Sequence, residues 1–287
     1  MSLLSAIQNV ANEAGYTITS NIIGSTETTT KQLLAIAQRV NREMADQYPW
    51  AKLYASGSFT LVNGQATYPL PAAFSWYHYE TFWNSSTRWR VLGPMSEQEY
   101  AEIRGFGLNT TIYQRFQIRG VSNNEILISP TPSASNDGNI IIFEYIADRP
   151  VRPMTWVAST AFAAGSYCFY NGNYYQTTAG GVTGSTAPTH TSGSVSDGGV
   201  TWTYYNGAYN TFLADTDVTI FNEKTLELGI LERFAEIHSL EGIRPRFELQ
   251  LNEDFSRDIP GKIIYAGGTT RANMFARSGT AVFGTWI

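Results

Sequence analysis

Between Arg152 and Asp215 this 287-residue chain carries a single formally charged residue, Asp197. At the chain-wide 15% charged content that stretch would hold about nine. The gap separates a charge-poor module, rich in aromatics, Gly, Ser and Thr, from a different sequence grammar on either side. Other shortages are as informative. A single cysteine, Cys168, excludes an internal disulfide; its setting, Tyr167-Cys168-Phe169, reads as a buried strand position. No clustered basic surface is evident and the net charge is −5, so general DNA gripping is not expected. No apolar run approaches the ~18 residues of a membrane span. Met1-Ser2-Leu3-Leu4 lacks a basic leader region, so no signal peptide is expected.

Catalytic chemistry is equally sparse. His78, His190 and His238 are far apart and in no metal-ligand spacing. Neither a Gly-x-Ser-x-Gly elbow nor a Walker A loop is present, and Gly105-Phe106-Gly107 reads as a mobile loop. Asp215-x-Asp217 is the one tempting carboxylate pair. A turn or cap ahead of a helix accounts for it, and an acid–base role would need a third partner. No enzyme, cofactor or metal is expected.

What is present divides the chain. Residues 1–54 predict two helices. Leu3, Ile7, Val10 and Ala14 share a face and Gly15 ends the first; Thr29 with Gln32 forms a capping box for the second, which Pro49 stops. Residues 55–152 predict an antiparallel β domain of sandwich or barrel type. It opens with a hairpin, Phe59–Val62 and Ala66–Tyr68 about Asn63-Gly64, and continues with strands at Trp76–Trp83, Tyr113–Arg119, Glu125–Ser129 and Asn139–Tyr145. Glu97–Arg104 reads as a short helix. Residues 153–209 form the small inserted β domain, whose clearest hairpin, Tyr167–Tyr170 into Asn173–Gln176, turns at Asn171-Gly172, with Val200–Tyr205 as closing strand. Residues 210–260 predict two further helices, with Asn222 as N-cap, Gly242 as C′ glycine and Pro245 in the first turn of the last. Residues 261–287 read as an extended tail. The fold class is therefore α+β: an antiparallel helical bundle from both ends of the chain, an antiparallel β domain, an inserted β domain and a tail.

In the insert, Trp156, Tyr174, Tyr175, Trp202 and Tyr204 are candidates for glycan or fibre contact. Aromatic rings stack on sugar faces, and a charge-poor surface suits a neutral ligand. A module this small also needs aromatics as core, and strand alternation leaves both roles open.

Tyr68-Pro69-Leu70-Pro71-Ala72-Ala73-Phe74, Ile128-Ser129-Pro130-Thr131-Pro132, Ile142-Phe143-Glu144-Tyr145-Ile146 and Asn210 to Asp217 follow one another in a familiar order. With the paired N-terminal helices, they resemble the head-to-tail adaptor (tail tubular A-like) proteins of short-tailed bacteriophages over residues 1–152 and 209–260. The insert instead resembles small chitin-binding-type carbohydrate modules, through Ala164–Tyr175, Thr186-Ala187-Pro188-Thr189 and Asp197–Trp202. The adaptor resemblance implies a structural virion protein of the neck and tail, assembled in the bacterial cytoplasm. It implies a homo-oligomeric ring, expected to be a dodecamer, between the portal protein and a tail nozzle or tail tube protein, with tail fibres as a further partner. Double-stranded DNA would pass through the lumen during genome ejection without sequence-specific binding, and no membrane is involved. The tail would dock on the portal, with Arg271, Phe275, Arg277, Phe283, Trp286 and Ile287 as contact candidates. The alternative expectation is a tail- or fibre-associated glycan-binding protein acting through the insert.

Overall fold

The computed structural model describes residues 2–18, 21–78, 80–107, 113–120, 124–238 and 246–258. It is α+β, with five α-helices and antiparallel strand pairing among the described residues, and none of the sheets closes into a barrel. Two compact units emerge: Met1–Lys52 with Arg149–Ile287, and Leu53–Asp148.

In the first unit, α1 (Leu3–Glu13) buries Leu3, Ala6, Ile7, Val10 and Ala11 on one face. Ser2 caps it through Oγ to the Ser5 N–H, and Gly15 follows with φ +79°. Helix α2 (Thr28–Gln47) buries Leu33, Ile36, Ala37, Val40 and Met44. It begins earlier than a Thr29 capping box would allow: the N-cap is Glu27, without a side-chain cap bond. Thr29 is already inside the helix, and the neighbouring Thr30 donates its hydroxyl to Glu27 Oε2 at 2.9 Å. Pro49 excludes the helical conformation at Tyr48, which is extended.

The second unit contains β1 (Tyr54–Thr60), β2 (Thr67–Pro69), β3 (Phe74–Tyr77), β4 (Trp83–Asn84), β5 (Trp89–Arg90), α3 (Glu97–Gly105), β6 (Arg115–Arg119), β7 (Glu125–Ser129) and β8 (Ile140–Ala147). One sheet runs β1-β8-β4-β5, with β3 also on β8; another runs β2-β7-β6. The expected hairpin at Asn63-Gly64 does not form. The turn is real, with Gly64 at φ +81°, but β1 pairs with β8 and β2 with β7. The turn stays tight, closed by the Gln65 N–H on the Val62 carbonyl at 3.0 Å, and the Tyr68 hydroxyl adds contacts to the Val62 N–H and the Gln65 carbonyl (2.9 and 2.8 Å). The strands on either side of it take their partners from far along the chain and so belong to different sheets. The expected Trp76–Trp83 strand is likewise two short ones. Phe82 stacks on Phe143 and Phe116 at the centre of this unit's core.

The chain re-enters the first unit through β9 (Val151–Arg152). The insert follows, with β10 (Ala161–Phe162), β11 (Tyr167–Tyr170), β12 (Asn173–Ala179), β13 (Gly181–Val182), β14 (Ser194–Asp197) and β15 (Val200–Tyr205). The chain leaves through β16 (Val218–Thr219), which pairs with β9. The insert thus hangs from a two-stranded stem. Buried Asn41 of α2 anchors that stem, accepting from Thr219 Oγ1 (2.7 Å) and donating to the Pro150 carbonyl (3.4 Å).

Helix α4 (Glu223–His238) packs on α1, α2 and α5 (Phe247–Asp258). Asn222 Oδ1 accepts from the Lys224 N–H at its start. Gly242 and Pro245 lie outside the described residues. Gly229 sits where α4 meets its neighbours: a Cβ there would lie 2.5 Å from Val40 Cγ1 and 2.9 Å from the Phe247 ring. Substituting Gly229→Ala gains about 1 kcal/mol of helix propensity but forces this contact apart, at roughly 1–3 kcal/mol. Urea unfolding is expected to show Gly229→Ala as destabilising and Gly229→Ala with Val40→Ala as partly restored; a stabilised single variant would contradict this packing.

Candidate functional site

The insert is built on the sheet β11-β12-β15-β14. Asn171 and Gly172 both have positive φ (47° and 84°), the geometry of a tight two-residue hairpin, and the register runs Tyr167↔Gln176 to Tyr170↔Asn173. Strand β15 is central, between β12 and β14. One face of this sheet carries Cys168, Tyr175, Val200 and Trp202, which with Phe162 make the module's core. Burial and the charge of Asp197 push the Cys168 thiol up to about 12, so it is not a reactive cysteine.

This arrangement corrects three candidates for glycan contact. Tyr175 and Trp202 are wholly buried and Tyr174 is 6% exposed, so none of these rings offers a face to a sugar. Tyr174 packs on the opposite face of the sheet against Tyr209, and its hydroxyl donates to the Val151 carbonyl at 3.1 Å. A module without a wider hydrophobic inventory uses its largest rings as core. Trp156 and Tyr204 are half-buried against the same core. Trp156 Nε1 donates to Asp197 Oδ2 at 2.9 Å, so the module's one charged residue is itself buried. The tail candidates Arg271, Phe275, Arg277, Phe283, Trp286 and Ile287 lie outside the described residues.

Asp215 and Asp217 are the residues whose role local sequence reading understated. They form a clasp with partners far along the chain. Asp217 is 1% exposed. Its Oδ2 accepts from the Tyr209 hydroxyl (3.0 Å) and from the Leu213 and Ala214 N–H groups (2.7 and 3.0 Å). The Asp215 carboxylate accepts from the N–H groups of Ile22 and Ile23 in the α1–α2 link. The backbone carbonyls of Asp217 and Asp215 accept from Leu3 and Leu4, satisfying two orphan donors of α1 (2.7 and 3.1 Å). The capped helix is α1, not the helix that follows in sequence. No group of metal-ligating side chains occurs among the described residues.

Two exposed features lie in the second unit. Trp83, Ile140 and Ile142 stand on one sheet face, where Trp83 pairs with Ile142. No residue of α3 is buried, although Ser96 and Glu99 close a capping box. Gly105 closes that helix and Phe106, 78% exposed, is its C-cap, so this segment is a helix end and not a free loop.

Against known families, the SU10 adaptor protein family matches residues 1–168, more than half of the chain. The chain belongs to the SU10 adaptor protein family. The match spans both N-terminal helices and the whole Leu53–Asp148 unit, and continues into the insert as far as Cys168 in β11. The SU10 adaptor family is one of structural phage adaptors, not of enzymes; membership implies a component of the virion neck associated with portal and tail. No curated protein matches the chain. No helix among the described residues is long and apolar enough to cross a membrane.

Burial raises the Asp217 carboxyl above the ordinary carboxylate range, outweighing the lowering effect of its three donors. A carboxyl with a raised folded-state value binds more protons folded than unfolded. Its contribution therefore falls as pH rises from about 4 through the folded value, and is flat above it. Asp217→Asn keeps an oxygen for the three donors and is expected to stay folded and lack this slope. Asp217→Ala strands buried donors and is expected to lose about 3 kcal/mol. Urea titrations of wild type and both variants across pH check this; a pH-independent difference between wild type and Asp217→Asn would contradict it.

Proposed function

We propose that this adaptor assembles as a ring, a dodecamer, beneath the phage portal and joins it to the tail nozzle or tail tube. In this reading the helices of the first unit form an antiparallel bundle that packs against the neighbouring copies, and the genome passes through the ring. The carrying observation is the family match over 1–168, which takes in the two helices and the β unit together. A net charge of −5 supports it: an acidic lumen passes DNA without holding it. The segment from Gly261, with Arg271, Arg277 and the aromatic pair Phe283 and Trp286, is the proposed portal contact.

The insert supports a second, additional role in contact with a neutral glycan or a tail fibre. The observation favouring it is the module's surface, which carries no charge, together with half-buried Trp156 and Tyr204. Buried Tyr174, Tyr175 and Trp202 take no part in this reading. Negative-stain electron microscopy of the full chain mixed with its portal protein tests the main reading. Closed rings of this chain seated on one end of the portal are expected; only monomers, with the portal left bare, would refute it.

A further inference from the structure

The longest edge strand among the described residues is β1, which pairs with β8 on one side only. On β8, the Ile140 and Glu144 carbonyls accept from the Ser85 and His78 N–H groups on the β3/β4 side, at 2.9 Å each. Bonding in an antiparallel ladder alternates from residue to residue. Strand β8 therefore meets β1 through Ile141, Phe143 and Tyr145, which lie opposite Phe59, Gly57 and Ala55. The backbone N–H and C=O groups of Ser56, Ser58 and Thr60 point outward from the edge. No backbone hydrogen bond to another segment engages them among the described residues, and all three residues are exposed. Edge strands are ordinarily guarded by charge, proline or a bulge. Tyr54–Thr60 holds no charged residue and no proline, and its register with β8 is unbroken.

We infer that this edge pairs antiparallel with β1 of a second copy of the chain, about a two-fold axis at Gly57. The strand's own pattern selects that occupant. With Gly57 opposite Gly57, Ser56 of each copy faces Ser58 of the other. Both belong to the outward-bonding set, so they exchange both N–H···O bonds. On the inner face, Phe59 lies opposite the small Ala55 of the second copy, and no charge meets a like charge. A one-residue slip would set the outward groups against Ala55, Gly57 and Phe59, whose backbone groups already face β8. Pairing covers an edge that would otherwise template aggregation. A two-fold contact closes at two copies. It is therefore separate from the contact that would generate the proposed ring, and stands or falls independently of it.

Sedimentation velocity of the full chain over a range of concentrations is expected to show a monomer–dimer equilibrium. Ser56→Lys with Ser58→Lys sets lysine opposite lysine in both pairs and is expected to weaken dimerisation about tenfold. Both side chains stand on the exposed face, so the far-ultraviolet circular dichroism of this variant is expected to match wild type. Amide exchange of wild type, followed by nuclear magnetic resonance, reads the edge without any substitution. The Ser56 and Ser58 amides are expected to slow as concentration rises. Those of Ala55, Gly57 and Phe59, already turned to β8, are expected to stay unchanged. A wild type that remains monomeric, a dimer that the two lysines leave intact, or Ser56 and Ser58 amides that exchange equally fast in monomer and dimer overturns the proposal.

Discussion

The first unit depends on one short loop, 209–217, and on the two aspartates that close it. Chain segments more than 190 residues apart meet there: Asp215 receives the Ile22 and Ile23 amides, and the carbonyls of Asp215 and Asp217 receive the first amides of α1. Without these acceptors the N-terminal turn of α1 would be buried with unsatisfied donors. Tyr209 extends the clasp into the insert. Its hydroxyl is held by Asp217, and its ring meets Tyr167 and Tyr174 on the sheet's second face. The insert is thereby joined to the helices by buried polar and aromatic contacts as well as by its β9–β16 stem.

This construction bears on what the insert is for. A module tethered only by a flexible linker would be free to move independently of the helices. Here Tyr174 reaches the Val151 carbonyl, Arg149 lies over the Tyr174 ring, and Asn41 holds the stem from α2. Such contacts fix its direction relative to the helices of the same unit. In the proposed ring, a fixed direction would turn an uncharged surface into a repeated, oriented one.

Local chemistry was the legible part of the sequence. Asn171-Gly172 named its turn because positive φ at two successive positions is a local demand. Pro49 ended α2 for an equally local reason. Apolar spacing found α1, α2, α4 and α5. The failures arose where distant residues decide. Asn63-Gly64 looks like the same kind of turn, yet the strands on either side of it pair with β8 and β7, partners that the neighbouring sequence does not name. Tyr175 and Trp202 carry the same side chains whether they face a sugar or a core, and only the sheet's packing distinguishes the two. Asp215-x-Asp217 was read as a cap, which is near its role, but its clients at residues 3, 4, 22 and 23 leave no mark in the neighbouring sequence.

The account stands on the clasp acting as one cooperative element. Hydrogen–deuterium exchange on the full chain, comparing wild type with Asp217→Ala, measures that directly. The amides of Leu3, Leu4, Ile22 and Ile23 are expected to lose protection together with those of Leu213 and Ala214, since all six end on the same loop. Loss confined to Leu213 and Ala214, with the α1 and α1–α2 amides unchanged, would show that the helices hold themselves in place and that the clasp is merely a local turn.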